Sequence, residues 1–163
     1  MTESSQTSVF IRDYQDVDIP LICEIIKAAF AEYQGLLNPP SSAEKKSPEV
    51  VAEELKTRDA LVATRNNELV ACVFYQLKAD TVYIDRLSVL PGHRKQGIAS
   101  KLMHEVEARA KQTDARALSL SVRLVLKQQQ AYYQSLGFVF ESYGTHAGFD
   151  SPTFMNMYKL IVS

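Results

Sequence analysis

The segment Ile84 to Lys101 constrains the fold most, because its residue pattern changes there from that of a strand to that of a helix. An apolar run ends at Val89, and Pro91 prevents further strand pairing. A loop with two basic residues and two glycines follows, and a helix is predicted to begin near Gly97. A strand, a loop and a helix in this order point backbone N–H groups and the positive helix end at one place, which is the geometry of a phosphate site.

Two common nucleotide-binding patterns do not fit this loop. The stretch Gly92 to Gly97 has the glycine spacing of a Walker loop, but Ile98-Ala99 stands where Lys and Ser or Thr are required. The glycines also lack the dinucleotide-binding spacing, and the loop does not follow the first strand of a βαβ unit. The sequence therefore disfavours hydrolysis of ATP or GTP and predicts a different phosphate-bearing ligand.

Hydrophobic spacing along the rest of the chain predicts a mixed α/β sheet with helices on its faces, in the order β-α-α-β-β-β-α-β-α-β-β. Asn66-Asn67 suits a tight hairpin turn between two strands, and Pro39-Pro40 makes residues 34–47 a loop. The predicted strands after the first are 60–65, 68–77, 81–89, 117–122, 138–143 and 154–161, and the predicted helices begin at Asp18, Ser47, Gly97 and Lys127.

The composition excludes several classes of protein. A length of 163 residues with 46% hydrophobic and 23% charged residues is typical of one folded domain. The 18 basic and 19 acidic residues leave a net charge of −1, so an anion site has to be local, and neither a nucleic-acid coat nor a polybasic membrane binder is predicted. Cys23 and Cys72 both lie in apolar runs, which predicts no disulfide framework, no metal site and a cytoplasmic location.

The amino-terminal residues 1–8 are polar and lack the pattern of a signal peptide, and no apolar span of 18 residues occurs in the chain. We expect residues 1–8 to form a flexible tail and residues 9–163 to form a single domain. No membrane contact is predicted.

Two segments resemble those of one known family. Val89 to Ala99 (VLPGHRKQGIA) resembles the acetyl-CoA signature of the GCN5-related N-acetyltransferases (GNAT), whose core is Q/R-x-x-G-x-G/A and stands here as Arg94, Gly97 and Ala99. Ala131 to Phe138 (AYYQSLGF) resembles the family's A-x-x-L-Y-x-x-L-G-F junction between a helix and a strand. The order of elements matches as well, so the resemblance covers nearly the whole chain.

The resemblance implies a mostly antiparallel, twisted sheet of about seven strands with helices on both faces. It also implies an enzyme that moves acetyl from acetyl-CoA to a primary amine by direct attack in a ternary complex. The strand ending at Val89 would splay from its neighbour and offer backbone groups to the pantetheine arm, with the Val89 N–H directed at the thioester oxygen. The implied cofactor-binding residues are Leu87, Ser88, Val89, Arg94, Lys95, Gln96, Gly97, Ile98, Ala99 and Ser100.

Two residues are candidates for catalysis. Tyr133 falls on the tyrosine that protonates the departing thiolate in many family members, a task that suits a phenol within hydrogen-bond reach. The alternative is an aromatic packed in the helix core, a role that fits Tyr132 as well. Asp85 is able to relay a proton from an ammonium substrate, and its alternative is an ion pair with Arg86 or a helix. Strand parity places Asp85 on the same face as Tyr83 and Leu87.

Two residues are candidates for the acceptor site. Tyr33 ends the first helix before the proline loop, which walls the acceptor site in the family; its alternative is a core position. His146 lies between the last two strands, where its pKa range suits a base or an acceptor-binding group, and a solvated loop histidine is its alternative. The family often has Asn where this chain has Leu126, seven residues before Tyr133, so cofactor contacts there are expected to differ.

The predicted partners are acetyl-CoA as co-substrate and a small-molecule or peptide amine as acceptor. Nucleic acid is not among them, and a homodimer is one candidate assembly. Two other functions stay open from the sequence. One is an acyl-CoA sensor on the same fold without turnover, and the other is an unrelated phosphate-binding α/β protein.

Overall fold

The structure is a computed structural model that describes residues 8–161. Within these residues seven strands form one sheet, and helices lie on both of its faces. The strands are β1 (Val9–Asp13), β2 (Asp59–Arg65), β3 (Glu68–Lys78), β4 (Thr81–Val89), β5 (Ala117–Arg123), β6 (Val139–Gly144) and β7 (Phe154–Leu160). The helices are α1 (Ile19–Phe30), α2 (Pro48–Glu54), α3 (Ile98–Ala110) and α4 (Lys127–Ser135).

The predicted fold class and element order are confirmed by this arrangement. The predicted tail falls largely on residues 1–7, which lie outside the described residues, and the domain limits 9–163 stay a prediction. In the described part of the chain, no helix has the length and apolar character needed to cross a membrane. Residues 8–161 also contain no group of three or more His, Cys, Asp or Glu side chains placed to hold a metal ion.

The strands run in the order β1-β2-β3-β4-β5-β7-β6, and every neighbouring pair is antiparallel except β4 and β5. A parallel pair needs a long crossover, and α3 supplies it between β4 and β5. The two strands pair only from Thr81–Tyr83 to Ala117–Ser119. Beyond Tyr83 they diverge, so a gap opens in the middle of the sheet.

Each face of the sheet has its own hydrophobic core. On one face, Leu102 and Val106 of α3 pack against Leu118 of β5 and its buried neighbours. On the other face, Ile22 and Ile26 of α1 pack with α2 and with the inward side chains of β2 and β3. The two cores hold the sheet between layers of helix, which fixes the position of the gap relative to the ends of α1 and α3.

Local turn residues act as predicted. Asn66 and Asn67 have φ values of 52° and 65°, the left-handed conformation that a two-residue hairpin requires between β2 and β3. Ser47 caps α2 by accepting a hydrogen bond from the N–H of Val50 at 3.2 Å. Gly137 has φ 102° just after α4, as expected of a glycine that ends a helix.

Asp18 starts α1 in a way that differs from the prediction. Its carboxylate does not cap α1 but turns back, accepting hydrogen bonds from the N–H of Gln15 at 2.8 Å and from both terminal nitrogens of Arg12 at 2.8 Å and 3.1 Å. The Arg12 hydrogen bonds lower the pKa of Asp18, burial opposes them, and Gln15 adds to the lowering. The buried carboxylate thus fastens the start of α1 to the end of β1.

We expect Asp18→Asn to lower the free energy of unfolding by about 1.5–3 kcal/mol at neutral pH, the usual worth of hydrogen bonds to a charged group. Because the folded-state pKa lies below the ordinary value of 3.8, the stabilisation is present above that pH and is lost as the pH falls through the lower folded value. The unfolding free energies of wild type and variant, measured with urea, should therefore begin to converge below about pH 4. The exposed neighbour Asp16→Asn is the control, and an equal loss there would contradict the assignment.

Candidate active site

A cavity of about 770 Å³ occupies the gap between β4 and β5. The end of α1, the loop that follows it and α4 complete its walls. Nine of the predicted site residues line it: Tyr33, Asp85, Leu87, Val89, Arg94, Lys95, Ala99, Tyr133 and His146. The predicted residues that do not line it are Ser88, Gln96, Gly97, Ile98 and Ser100.

A bulge in β4 shapes the cavity wall. Asp85 pairs with Phe74 and Ser88 pairs with Cys72, so Arg86 and Leu87 together stand opposite one residue of β3. Arg86 has φ 56°, which is unusual for a residue with a side chain. Strand alternation predicted that Tyr83, Asp85 and Leu87 share one face of the sheet; this prediction is right for Tyr83 and wrong for Leu87. The extra residue turns Leu87 toward the α3 core, whereas Asp85 stays on the α1 face.

The loop before α3 leaves the helix amino terminus open. Gly97 stands at the N-cap position with φ 81°, and a Cβ atom there would meet nothing within 4 Å. No side chain caps α3, so the N–H groups of its first turn have no side-chain acceptor. Lys95 is exposed and makes no ion pair with any described residue. This end of the cavity therefore presents backbone donors and a free ammonium group to an anion.

Several predicted cofactor-binding side chains are engaged within the protein. Arg94 donates to Glu32 at 2.6 Å and to the carbonyl oxygen of Ala29 at 2.8 Å, which ties the loop to the end of α1. Ser88 is buried and donates to the carbonyl oxygen of Arg86 at 3.0 Å. The side chain of Gln96 is hydrogen-bonded to Arg65, and that of Ser100 to Tyr132. Ile98 is buried in the core. Only the backbone groups of these residues are available to a ligand without rearrangement.

Tyr133 projects from α4 into the cavity with a free hydroxyl. The ring packs edge-on against Phe138 and lies 5.4 Å from the ring of Tyr132. Its hydroxyl makes no hydrogen bond with any described residue, whereas the hydroxyl of Tyr132 lies 2.9 Å from Ser100 Oγ. Burial raises the pKa of Tyr133, and the nearby tyrosines add to the effect. The phenol is therefore protonated at neutral pH and free to donate.

Asp85 lies beside a cationic cluster at the other end of the cavity. Its Oδ2 atom is 3.7 Å from Nη2 of Arg58, and its Oδ1 atom is buried without a hydrogen-bond partner. Burial raises the pKa of this carboxyl, and the charges of Arg58 and Arg86 oppose the shift. The ion pair offered as the alternative role of Asp85 exists, but its partner is Arg58, which follows α2, and not Arg86.

Two side chains hold the proline loop and Tyr33, which precedes it, beside the cavity. Arg123, at the end of β5, donates to the carbonyl oxygens of Pro39 at 2.6 Å and Pro40 at 3.3 Å. Gln129 of α4 donates to the hydroxyl of Tyr33 at 2.9 Å. Sequence reasoning missed both roles, because a side chain that binds a loop more than eighty residues away leaves no local pattern.

His146 lines the same wall from the β6–β7 loop. Its backbone N–H donates to Thr153 Oγ1 at 3.0 Å, and its ring lies 5.0 Å from that of Phe154. Burial and the charge of Arg123 lower its pKa, so the imidazole is neutral at pH 7. Leu126 also lines the cavity and packs on the α3 core, so an apolar side chain stands where the family often has Asn.

The comparisons with known proteins concern the family and the fold. The family described as acetyltransferase (GNAT) matches residues 24–138. No curated protein matches the sequence.

Solved structures of low sequence identity share the fold. The PaiA N-acetyltransferase of Thermoplasma acidophilum, in complex with coenzyme A, is 20% identical with a TM-score of 0.79 over 94% of this chain and 99% of that chain. Ard1 of Thermoplasma volcanium is 17% identical with a TM-score of 0.78 over 96% and 100%. The ribosomal-protein-S18-alanine N-acetyltransferase of Escherichia coli is 19% identical with a TM-score of 0.73 over 96% of both chains.

We expect Arg123→Gln to release the proline loop. Loss of two hydrogen bonds from a charged group should speed amide hydrogen exchange in residues 36–46 by about tenfold or more, while the core strands keep their protection. Arg116→Gln is the control, because that exposed arginine makes no side-chain contact with the loop. Unchanged amide hydrogen exchange in the Arg123 variant would show that Arg123 does not hold the proline loop in place.

Proposed function

The chain belongs to the acetyltransferase (GNAT) family, and from this premise we propose that it transfers acetyl from acetyl-CoA to the primary amine of an acceptor by direct attack in a ternary complex. One observation carries the proposal. The gap between β4 and β5 connects an uncapped helix amino terminus to a free tyrosine hydroxyl and a half-buried carboxylate. These are the parts that anion binding, leaving-group protonation and amine deprotonation require.

Acetyl-CoA fits the phosphate end of the cavity. The open backbone at Gly97, the uncapped first turn of α3 and the free ammonium of Lys95 would hold the pyrophosphate. The resemblance implies that backbone N–H groups from Arg94 to Ser100 hold the pyrophosphate, and the side chain of Arg94 has a separate role. Its guanidinium is bound to Glu32 and Ala29, so we propose that its side chain fixes the loop while the backbone binds the phosphates.

The backbone of β4 supports the proposed position of the thioester. The N–H of Leu90 donates to the carbonyl oxygen of Val70 in β3 at 2.9 Å. Because successive residues of a strand point their backbone groups to opposite sides, the N–H of Val89 points toward the side from which β5 has diverged. We propose that this N–H donates to the thioester carbonyl oxygen and stabilises the negative charge that develops on it during attack.

Two side chains would move the protons. Asp85 takes a proton from the acceptor's ammonium group, which frees the nitrogen lone pair to form the new C–N bond. Tyr133 gives its proton to the sulfur as the C–S bond breaks, and its phenolate then takes the second proton of the attacking nitrogen, so the products are an amide and a free thiol. The raised pKa of Asp85 makes its carboxylate a better base. The raised pKa of Tyr133 makes its phenol a weaker acid, so proton transfer to the sulfur requires the hydroxyl to lie within hydrogen-bond distance of it. Tyr33 and His146 would line the acceptor's path.

The proposed cofactor site is testable by ligand-induced stabilisation. We expect CoA and acetyl-CoA, but not ATP or NAD, to raise the melting temperature, since a ligand at 100 times its Kd adds about 2.7 kcal/mol. Gly97→Asp should stay folded and lose the shift, because it places a negative charge at the helix amino terminus.

Gly148→Asp is a matched control for that variant. Gly148 has φ 85° and equally open surroundings, but it lies in the β6–β7 loop. The control should keep the CoA shift. Absence of any shift in wild type, or an intact shift in Gly97→Asp, would refute the cofactor site.

The proposed acid is testable by removing one hydroxyl. Tyr133→Phe should keep CoA affinity and lower kcat by about 100-fold, within the usual range for general acid catalysis. The loss should shrink with an acyl donor whose thiol is more acidic, because a better leaving group needs less protonation. Thiol release measures both effects.

Tyr143→Phe is the control for this experiment, since that tyrosine is exposed on β6. Tyr132 is unsuitable as a control because its hydroxyl binds Ser100. Full turnover in Tyr133→Phe would eliminate the tyrosine as the acid. CoA binding by wild type without thiol release from any amine would favour the sensor function instead.

A further inference from the structure

A cluster of charged side chains lies at the acceptor end of the cavity, away from the proposed phosphate site. It comprises three cations and two carboxylates: Lys46, Arg58, Arg86, Glu54 and Asp85. Lys46 is buried against Glu54, and the guanidinium groups of Arg58 and Arg86 lie 3.8 Å and 3.6 Å from the same carboxylate. The cluster therefore keeps an excess of positive charge in a place with little water.

Arg86 brings this positive charge to the cavity surface. Both Arg86 and Ser42 line the cavity, and Nη2 of Arg86 donates to Ser42 Oγ at 2.6 Å. Its Nη1 atom makes no hydrogen bond with any described residue, and its Nε atom is buried without a partner. The guanidinium is thus held in place through Nη2, while Nη1 keeps N–H donors without a partner among the described residues. Such donors on a fixed guanidinium suit a carboxylate, which accepts charge-assisted hydrogen bonds.

The backbone at Arg86 is strained in a way that serves this placement. A left-handed conformation costs a non-glycine residue about 1–2 kcal/mol, and Arg86 adopts it at the bulge of β4. Without the bulge, strand alternation would direct Arg86 to the face opposite Asp85. With it, the two neighbours both line the acceptor end of the cavity. Strain of this kind is characteristic of functional positions.

The charges around this end of the cavity disfavour a cationic acceptor. Arg123 adds a second guanidinium to the wall, and Arg58 lies directly behind Asp85. Asp85 is the single carboxylate that faces this end among the described residues, because Glu32 is bound to Arg94 at the opposite side. A second ammonium group on the acceptor would meet arginines, whereas a carboxylate would meet unpaired donors.

We infer that the acceptor is a small amine that also carries a carboxylate, which Arg86 binds while Asp85 receives the ammonium group. This inference rests on the proposed acetyl transfer and names its substrate class. A small acceptor suits the cavity, since Arg123 ties the proline loop to the end of β5 on that side.

Matched acceptors test the inference on the full-length wild-type protein. We choose L-alanine, 4-aminobutyrate and 5-aminopentanoate, each against its neutral amide and a diamine of matching length, with thiol release from acetyl-CoA as the readout. Each amino carboxylate forms one set with its amide derivative and its diamine. In at least one set, kcat/KM for the amino carboxylate should exceed that for its amide derivative by about tenfold or more, and the diamine should have the lowest kcat/KM. Amides or diamines that match or exceed the carboxylates in every set would overturn the inference and leave acetyl transfer standing.

The variant Arg86→Gln assigns the selectivity to one residue. It should reduce the preference for carboxylate over amide by about 10- to 100-fold, the worth of a hydrogen bond to a charged group. Arg86→Lys, which keeps the charge and loses the paired donors, should retain part of the preference. Arg116→Gln should retain all of it. A purely structural role of Arg86 would lower the melting temperature and slow both acceptors equally, which would refute the inference.

A direct binding measurement separates this inference from the proposed function. Calorimetric titration of the CoA-saturated wild-type protein with the best amino carboxylate and its amide needs no turnover. If no amine releases thiol but the carboxylate binds at least tenfold more tightly than its amide, the anion site stands and acetyl transfer fails. If thiol is released and the two bind equally, acetyl transfer stands and the inference fails.

Discussion

The short pairing between β4 and β5 is the constraint on which the site depends. Both strands are anchored at their beginnings, where Thr81–Tyr83 pairs with Ala117–Ser119, and each is then drawn away by different partners. β4 continues along β3, while β5 continues along β7. A sheet without this divergence would fill its centre with backbone hydrogen bonds. Here the unpaired edge of β4, the start of α3 and one face of α4 all border the same cavity.

Local residue chemistry predicted most of the fold. Paired asparagines gave a hairpin, serine and proline started a helix, and the change of hydrophobic period at Gly97 placed α3 and its open amino terminus. The bulge at Arg86 was not predictable in this way, because neither glycine nor proline marks it. It arises from pairing with β3 and redirects every later side chain of β4. The alternation rule, applied to β4 without a bulge, therefore placed Leu87 on the wrong face.

The site was predictable to the extent that its parts belong to one contiguous motif. The loop before α3 and Tyr133 stand in segments with recognisable spacing, and both of them line the same cavity. The charged side chains around Asp85 come from a strand, a short helix and two loops, so no spacing in the sequence indicates that they form a cluster. The same holds for Arg123, whose binding partners are carbonyl oxygens that every residue possesses.

The bond from Arg94 to the end of α1 joins the two halves of the cavity thermodynamically. Glu32 and Ala29, which accept its hydrogen bonds, lie shortly before Tyr33 and the proline loop, on the side proposed for the acceptor. A ligand at the loop before α3 that strengthens or weakens these bonds also changes the stability of that side of the cavity. Since linkage is reciprocal, a ligand that orders that side changes the affinity of the loop before α3 for its own ligand by the same factor. Coupling between the two ends of the cavity therefore passes through one arginine.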